Sequence, residues 1–315
     1  MTRKSLSPVA VVGAGAVGCF YGAMLARAGT RVILIGRAAH VEAINRDGLI
    51  FEAQDGKQAI KLVASQDAAA IAGARLILFC VKSNDTDEAA RAMAPHLAPD
   101  AVVLSLQNGV DNVERILPRV PNPVLPVAVY TAAQIPAPGR VRHTGGGRLV
   151  IGASREFGGR GVDRALLEAI ADLFRGADVP VAISDDIDAE MWTKLVMNCA
   201  HNAISAIGGA RYGEMAAMPE IQDVMRGAVR ETMALAAAKG VHLPASLVEA
   251  TVDFGNSMPM TISSTAQDVR RGRRTEIDHL NGYVVREGAA HGIATPVNGT
   301  LHALMKLVER DKAAT

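Results

Sequence analysis

Neither sign of charge dominates this chain: 33 Lys and Arg stand against 32 Asp and Glu, a formal net charge of +1. That balance offers no electrostatic footprint for nucleic acid or an anionic membrane surface, so neither partner is expected. Cysteine is scarce as well. Cys19, Cys80 and Cys199 form an odd, scattered set without a CxxC, which argues against a disulfide framework and for reduced thiols in a cytoplasmic protein. The eight histidines include no HxxxH or HExxH spacing, so no metal site is expected. An unbroken apolar run is missing too. The uncharged stretch from Ser5 to Ala26 is interrupted by Gly13, Gly15, Gly18 and Gly22, unlike a signal peptide or a membrane span. What the chain does have is 315 residues, 49% of them apolar, enough for a sizeable core and two domains.

The stretch "VAVVGAGAVGCFYGAMLARAGTRVILIGR" gives a buried strand, then Gly13-x-Gly15-x-x-Gly18, a helix ending near Gly29, and a second strand. In that setting the glycines form a dinucleotide fingerprint. Gly13 permits the tight turn, Gly15 lets the backbone approach a pyrophosphate, and Gly18 lets the helix pack on the strand. Ala16 and Val17 lie in the same turn, where free N–H groups face the phosphates. NAD sites place an acidic residue at the end of the second strand, but this chain has Gly36-Arg37. Arg37 can pair with a 2′-phosphate, so NADP(H) is expected over NAD.

Further on, "RLILFCVKS" and "AVVLSLQNG" read as strands of a doubly wound sheet, whose ligands sit beyond the carboxyl ends. Lys82 and Asn108 end these runs and are site candidates, a solvated strand end being the competing account of each. Residues 124–152 read as strands with turns, and 162–183 as one more helix and strand. After Ser184 the chain turns almost wholly helical. The expected architecture is an α/β Rossmann-type domain over residues 1–184 followed by an all-α domain over 185–315, facing each other across a cleft.

Two stretches of the helical half stand out. In "EMWTKLVMNCAHN", Glu190, Lys194, Asn198 and Asn202 recur at four-residue spacing, a polar stripe on an otherwise apolar helix. A solvated Glu190–Lys194 pair is the simpler account of its first two members. In "SSTAQDVRRGRRTEIDHLNG", Thr275 and Asp278 have capping-box spacing, with Glu276 in the first turn, where the helix dipole stabilises an acid. Ser263 and Ser264 read as loop hydroxyls, and Arg270, Arg271, Arg273 and Arg274 as a solvated basic loop.

Taken together, GAGAVG, "VKS" (81–83), "LQNG" (106–109), "WTKLVMN" (192–198) and "SSTAQDVRRGRRTEID" (263–278) resemble the ketopantoate reductase (2-dehydropantoate 2-reductase) family over both halves of the chain. The resemblance implies a helical domain of the 6-phosphogluconate dehydrogenase-like kind. It also implies NADPH-dependent reduction of the 2-keto group of ketopantoate to pantoate, on the route to pantothenate and coenzyme A. Lys194 and Glu276 fall on the family's catalytic lysine and glutamate, Asn198, Asn202 and Ser264 on its substrate-binding residues, and Lys82 and Asn108 on its cofactor-side pair. Asn108 is expected to touch substrate as well, and Glu276 the cofactor. Ala203 and Tyr212 stand where the family often has proline and asparagine, which leaves another branched 2-oxo acid or related carbonyl compound as an alternative substrate. A non-catalytic NADP(H) sensor would need the glycines but not Lys194 and Glu276. A homodimer is an assembly the sequence allows without fixing.

Overall fold

The computed structural model describes residues 6–54, 56–155 and 162–310. Its strands are β1 (Val9–Val12), β2 (Val32–Ile35), β3 (Leu49–Ala53), β4 (Gly56–Ile60), β5 (Val63–Ser65), β6 (Leu76–Phe79), β7 (Val102–Ser105), β8 (Val124–Gln134), β9 (Arg140–Ile151) and β10 (Val181–Ile183). They form one sheet in the order β4-β3-β9-β8-β7-β6-β1-β2-β5, with β10 also beside β9. The run from β5 to β8 is parallel throughout. β1, β6 and β7 are buried along their whole length, which is why they read as unbroken apolar runs. Beyond β8 the sheet changes character. β8 pairs antiparallel with β9, its register slipping at Tyr130/Thr131, opposite Gly147 at φ +123°, and again at Ala132/Ala133, opposite Thr144. The β3–β4 hairpin is a further antiparallel addition to the expected doubly wound core.

Among the described residues, the α-helices that accompany the strands are α1 (Ala16–Arg27), α2 (Ala38–Asp47), α3 (Thr86–Met93), α4 (Asn112–Ile116) and α5 (Arg164–Arg175). Because side chains alternate along a strand, Val9 and Val11 join one core with Phe20, Tyr21 and Leu25 of α1, and with Ile170 and Phe174 of α5. Ala10 and Val12 point the other way, into a core with Ile77, Met93 and Ile116.

The rest of the fold is helical: α6 (Ile187–Gly208), α7 (Tyr212–Ala216), α8 (Pro219–Ala238), α9 (Leu247–Ser257), α10 (Ser264–Arg270), α11 (Asn281–Ala290) and α12 (Pro296–Arg310). Val196, Ala200 and Ala203 of α6 pack with Met225, Ala228 and Val229 of α8 and with Leu301 and Met305 of α12. α8 opens on Pro219 and stops just before Gly240 at φ +79°, a backbone setting glycine adopts without strain. Chain contacts define two compact units: Met1–Gln107 with Asp111–Glu190, and Asn108–Val110 with Met191–Thr315.

The helix start expected at Thr275 is not found. Residues Ile277–His279 make a single 3₁₀ turn, and α11 begins at Asn281. Asp278 does not reach back to close a capping box, because His302 and Lys306 of α12 engage its carboxylate at 2.8 Å each. Among the described residues, no helix is long and apolar enough to cross a membrane, and no group of three or more His, Cys, Asp or Glu is placed to hold a metal ion.

Candidate functional site

In the first unit the three fingerprint glycines are required for different reasons. Gly13 sits at φ +105°, and a Cβ there would lie 2.6 Å from the Val81 backbone nitrogen. A Cβ on Gly18 would strike the Gly13 carbonyl oxygen and approach Val11 Cγ1 to 2.7 Å. Both glycines are therefore demanded by the fold itself. Gly15 is not. Its φ of −84° suits any residue, and a Cβ there meets nothing within 4 Å. It is exposed, and, having no side chain, it caps α1 without a side-chain hydrogen bond to the first-turn N–H groups around Ala16 and Val17. Open space at the one glycine with no internal reason, in front of a helix N-terminus, fits a dinucleotide pyrophosphate. Arg37 is exposed directly after β2, at the N-cap of α2.

Lys82 is half-buried at the start of a 3₁₀ turn, Ser83–Asp85, after β6. A chain of buried polar groups beside it has no signature in the sequence. The Gln107 amide donates to the Val81 carbonyl at 3.1 Å and to Thr86 Oγ1 at 2.7 Å, while its oxygen accepts from Ser105 at 3.0 Å. Thr86 in turn donates to Asn112 Oδ1 at 2.9 Å. These bonds tie the end of β6 to the end of β7. The one hint was polar residues at the close of an apolar strand, and nothing in the spacing paired Gln107 with Thr86.

In the second unit Lys194, Asn198 and Asn202 share one face of α6, as their spacing implied. Lys194 is half-buried. Desolvation lowers its pKa from 10.5 to about 8, and the charge of Glu276 opposes that fall. Glu276 is itself only 5% exposed, and its Oε2 accepts a 3.1 Å hydrogen bond from the Asn108 amide, a residue 168 positions away. Lys194, Glu276 and Asn108 are thus gathered in one place. The amide nitrogens of Asn198 and Asn202 are buried with no hydrogen-bond partner among the described residues, an expensive arrangement unless an acceptor arrives from outside the chain.

The two serines divide. Ser264 is exposed at the first position of α10. Ser263 is buried: its hydroxyl donates to the Asn202 carbonyl at 3.1 Å and accepts from the Ala266 N–H at 3.0 Å, so it caps α10 and joins it to α6. Glu190 accepts a 3.4 Å hydrogen bond from the Tyr130 hydroxyl. Arg270, Arg271, Arg273 and Arg274 are exposed. Beside Asn202, His201 packs between Tyr212 and Phe254, with ring centroids 4.8 and 5.8 Å away.

An ammonium group poised to give up its proton, a buried carboxylate, and amide donors without partners can together receive a carbonyl compound and protonate its oxygen. Comparison with known proteins agrees with that chemistry. The model of the ketopantoate reductase PanE/ApbA family matches residues 9–156, and the model of its C-terminal part matches residues 186–309. The 2-dehydropantoate 2-reductase of Halobacterium salinarum is 33% identical over 306 residues, covering 96% of this chain and 99% of that protein. The Vibrio cholerae enzyme of the same name is 32% identical over 304 residues, covering 96% and 98%. Among solved structures, a PanE/ApbA family ketopantoate reductase from Ralstonia eutropha JMP134 is 47% identical with a TM-score of 0.89, over 97% of this chain and 99% of that one. A D-mandelate dehydrogenase holding NADH and anilino(oxo)acetate is 25% identical with a TM-score of 0.90, again over 97% and 99%. On these grounds the chain belongs to the ketopantoate reductase family.

Proposed function

We propose that this chain reduces the 2-keto group of ketopantoate to the hydroxyl of pantoate with NADPH. The observation that carries this reading is Lys194: half-buried, its pKa lowered to about 8, and accompanied by Glu276. NADPH, when bound, supplies the hydride. Gly15, Ala16 and Val17 offer backbone N–H groups and open space to its pyrophosphate, and Arg37 offers a guanidinium to its 2′-phosphate. Lys82 stands by on the same cofactor-side edge.

As the keto carbon becomes tetrahedral, negative charge grows on its oxygen. The Lys194 ammonium stabilises that charge and then donates the proton from Nζ. Glu276 holds Lys194 protonated by its charge and accepts a hydrogen bond from a substrate hydroxyl. Asn108 fixes the Glu276 carboxylate. Asn198 and Asn202 donate their unpartnered amide protons to substrate oxygens, and Ser264 adds a hydroxyl. The three unpaired cysteines, two of them buried, suit a reducing compartment, and we place the reaction in the cytoplasm.

Two observations favour a second reading, in which the substrate is another branched 2-oxo acid or a related carbonyl compound. The aromatic cluster of His201, Tyr212 and Phe254 adjoins Asn202, and a structure of closely similar fold binds anilino(oxo)acetate. NADPH oxidation measured with ketopantoate and with a series of branched and aryl 2-oxo acids decides between them. The first reading expects the highest kcat/KM with ketopantoate. Lys194→Ala should lower kcat by about 10²–10⁴-fold, and near wild-type turnover in that variant would overturn the assignment of Lys194.

A further inference from the structure

Glu276 lies outside any regular helix, at φ −97° and ψ +21°, so no helical ladder sets its direction. Its neighbours on both sides are instead gripped by α12. Glu309 Oε1 accepts two hydrogen bonds from Thr275, one from its N–H at 2.8 Å and one from its hydroxyl at 2.7 Å. The Asp278 carboxylate takes His302 Nε2 at 2.8 Å on one oxygen and Lys306 Nζ at 2.8 Å on the other, with Arg274 adding a 3.3 Å contact. Lys306 also reaches Glu309 at 3.3 Å, linking the two grips. His302, Lys306 and Glu309 fall at i, i+4 and i+7 and so share one face of α12. Thr275 is only 1% exposed, which shields its bonds to Glu309 from water. The ion pairs of Asp278 are wetter and individually weaker.

We propose that Glu309, assisted by Lys306 and His302, is a positioning residue: through Thr275 and Asp278 it suspends Glu276 at the distance from Lys194 that the reaction needs. The inference rests on the roles given above to Lys194 and Glu276. Its consequence is electrostatic as well as geometric, because the Glu276 charge is what keeps Lys194 protonated against burial. A Glu276 released by α12 loses part of that hold, and the basic limb of the pH–rate profile moves to lower pH.

The test is a set of pH–rate profiles on the full-length enzyme with NADPH and the best 2-oxo acid, with thermal unfolding measured alongside. Glu276→Gln serves as the benchmark. Glu309→Ala is expected to lower kcat about tenfold or more, leave the KM for NADPH unchanged, and shift the basic limb in the direction Glu276→Gln shifts it. Glu309→Gln, whose amide oxygen still accepts both Thr275 bonds, is expected to restore most of the rate. Thr275→Val, which keeps the N–H bond and drops the hydroxyl, should fall between them and covers the case in which Glu309→Ala fails to fold. If Glu276→Gln moves the limb while Glu309→Ala and Thr275→Val keep wild-type kcat and limb, α12 does not position Glu276. If Glu276→Gln leaves the limb in place, the Lys194–Glu276 coupling itself falls and the role of α12 falls with it.

Discussion

Lys194 carries a cost that can be measured without assaying any reaction. Its pKa in the folded chain is about 8 against the ordinary 10.5. Between those two values the unfolded chain binds a proton that the folded chain has lost, so stability rises with pH across that window. Below it, the desolvated ammonium destabilises the fold by on the order of 3 kcal/mol. Lys194→Met should therefore raise the melting temperature at neutral pH while abolishing turnover, and its stability should stay flat where that of the wild type climbs. Calorimetry of both proteins at several pH values checks this. At this scale the sequence was informative where a residue contradicts its surroundings: a lysine and two asparagines on an apolar helix announce themselves. Glu276 did not, and Asn108 showed itself only as the polar end of an apolar strand. Only resemblance to a family linked them to the site, since no rule of spacing joins residues 168 apart. Glu309 gave no signal at all, and Gln107 only that of a polar residue closing an apolar strand, because their partners become neighbours only when strands and helices pack.

Among the elements, the turn between β1 and α1 makes the sharpest separation of fold from ligand. Gly13→Ala and Gly18→Ala each force a Cβ into backbone and are expected to destabilise the protein by a few kcal/mol, on the order of a severe core mutation. Gly15→Ala should fold with wild-type stability and still bind NADPH more weakly, because its methyl fills only space outside the chain. Thermal unfolding and NADPH titration of the three variants separate the two demands. The N-cap of α10 carries another expectation. Ser263→Ala removes a cap bond and a link to Asn202 and should cost about 1–2 kcal/mol, seen as a lower denaturant midpoint with unchanged slope. Periodicity exposed α8, with its proline start and glycine stop, and the glycine-rich turn exposed α1. It failed for β4, which is exposed along most of its length and so shows no apolar alternation. It failed again at Thr275–Asp278, where capping-box residues are claimed by α12 before they can cap anything.

For the whole molecule, two cores with different logic are built from one chain: a sheet with apolar residues directed to both faces, and a helical cluster centred on α6 and α8. The change of character after Ser184 was plain in the sequence. The assignment of Asn108–Val110 to the helical unit was not, because those three residues follow an ordinary strand and look like its trailing loop. That small excursion has a consequence for taking the protein apart. A cut near residue 185 gives two pieces, and the helical piece then lacks three of its own residues, including the amide that holds Glu276. Such fragments should behave as mutual complements rather than as autonomous modules. Produced separately they would be inactive and the helical one poorly ordered; produced together they should reassemble, with activity returning as the donated loop finds its place.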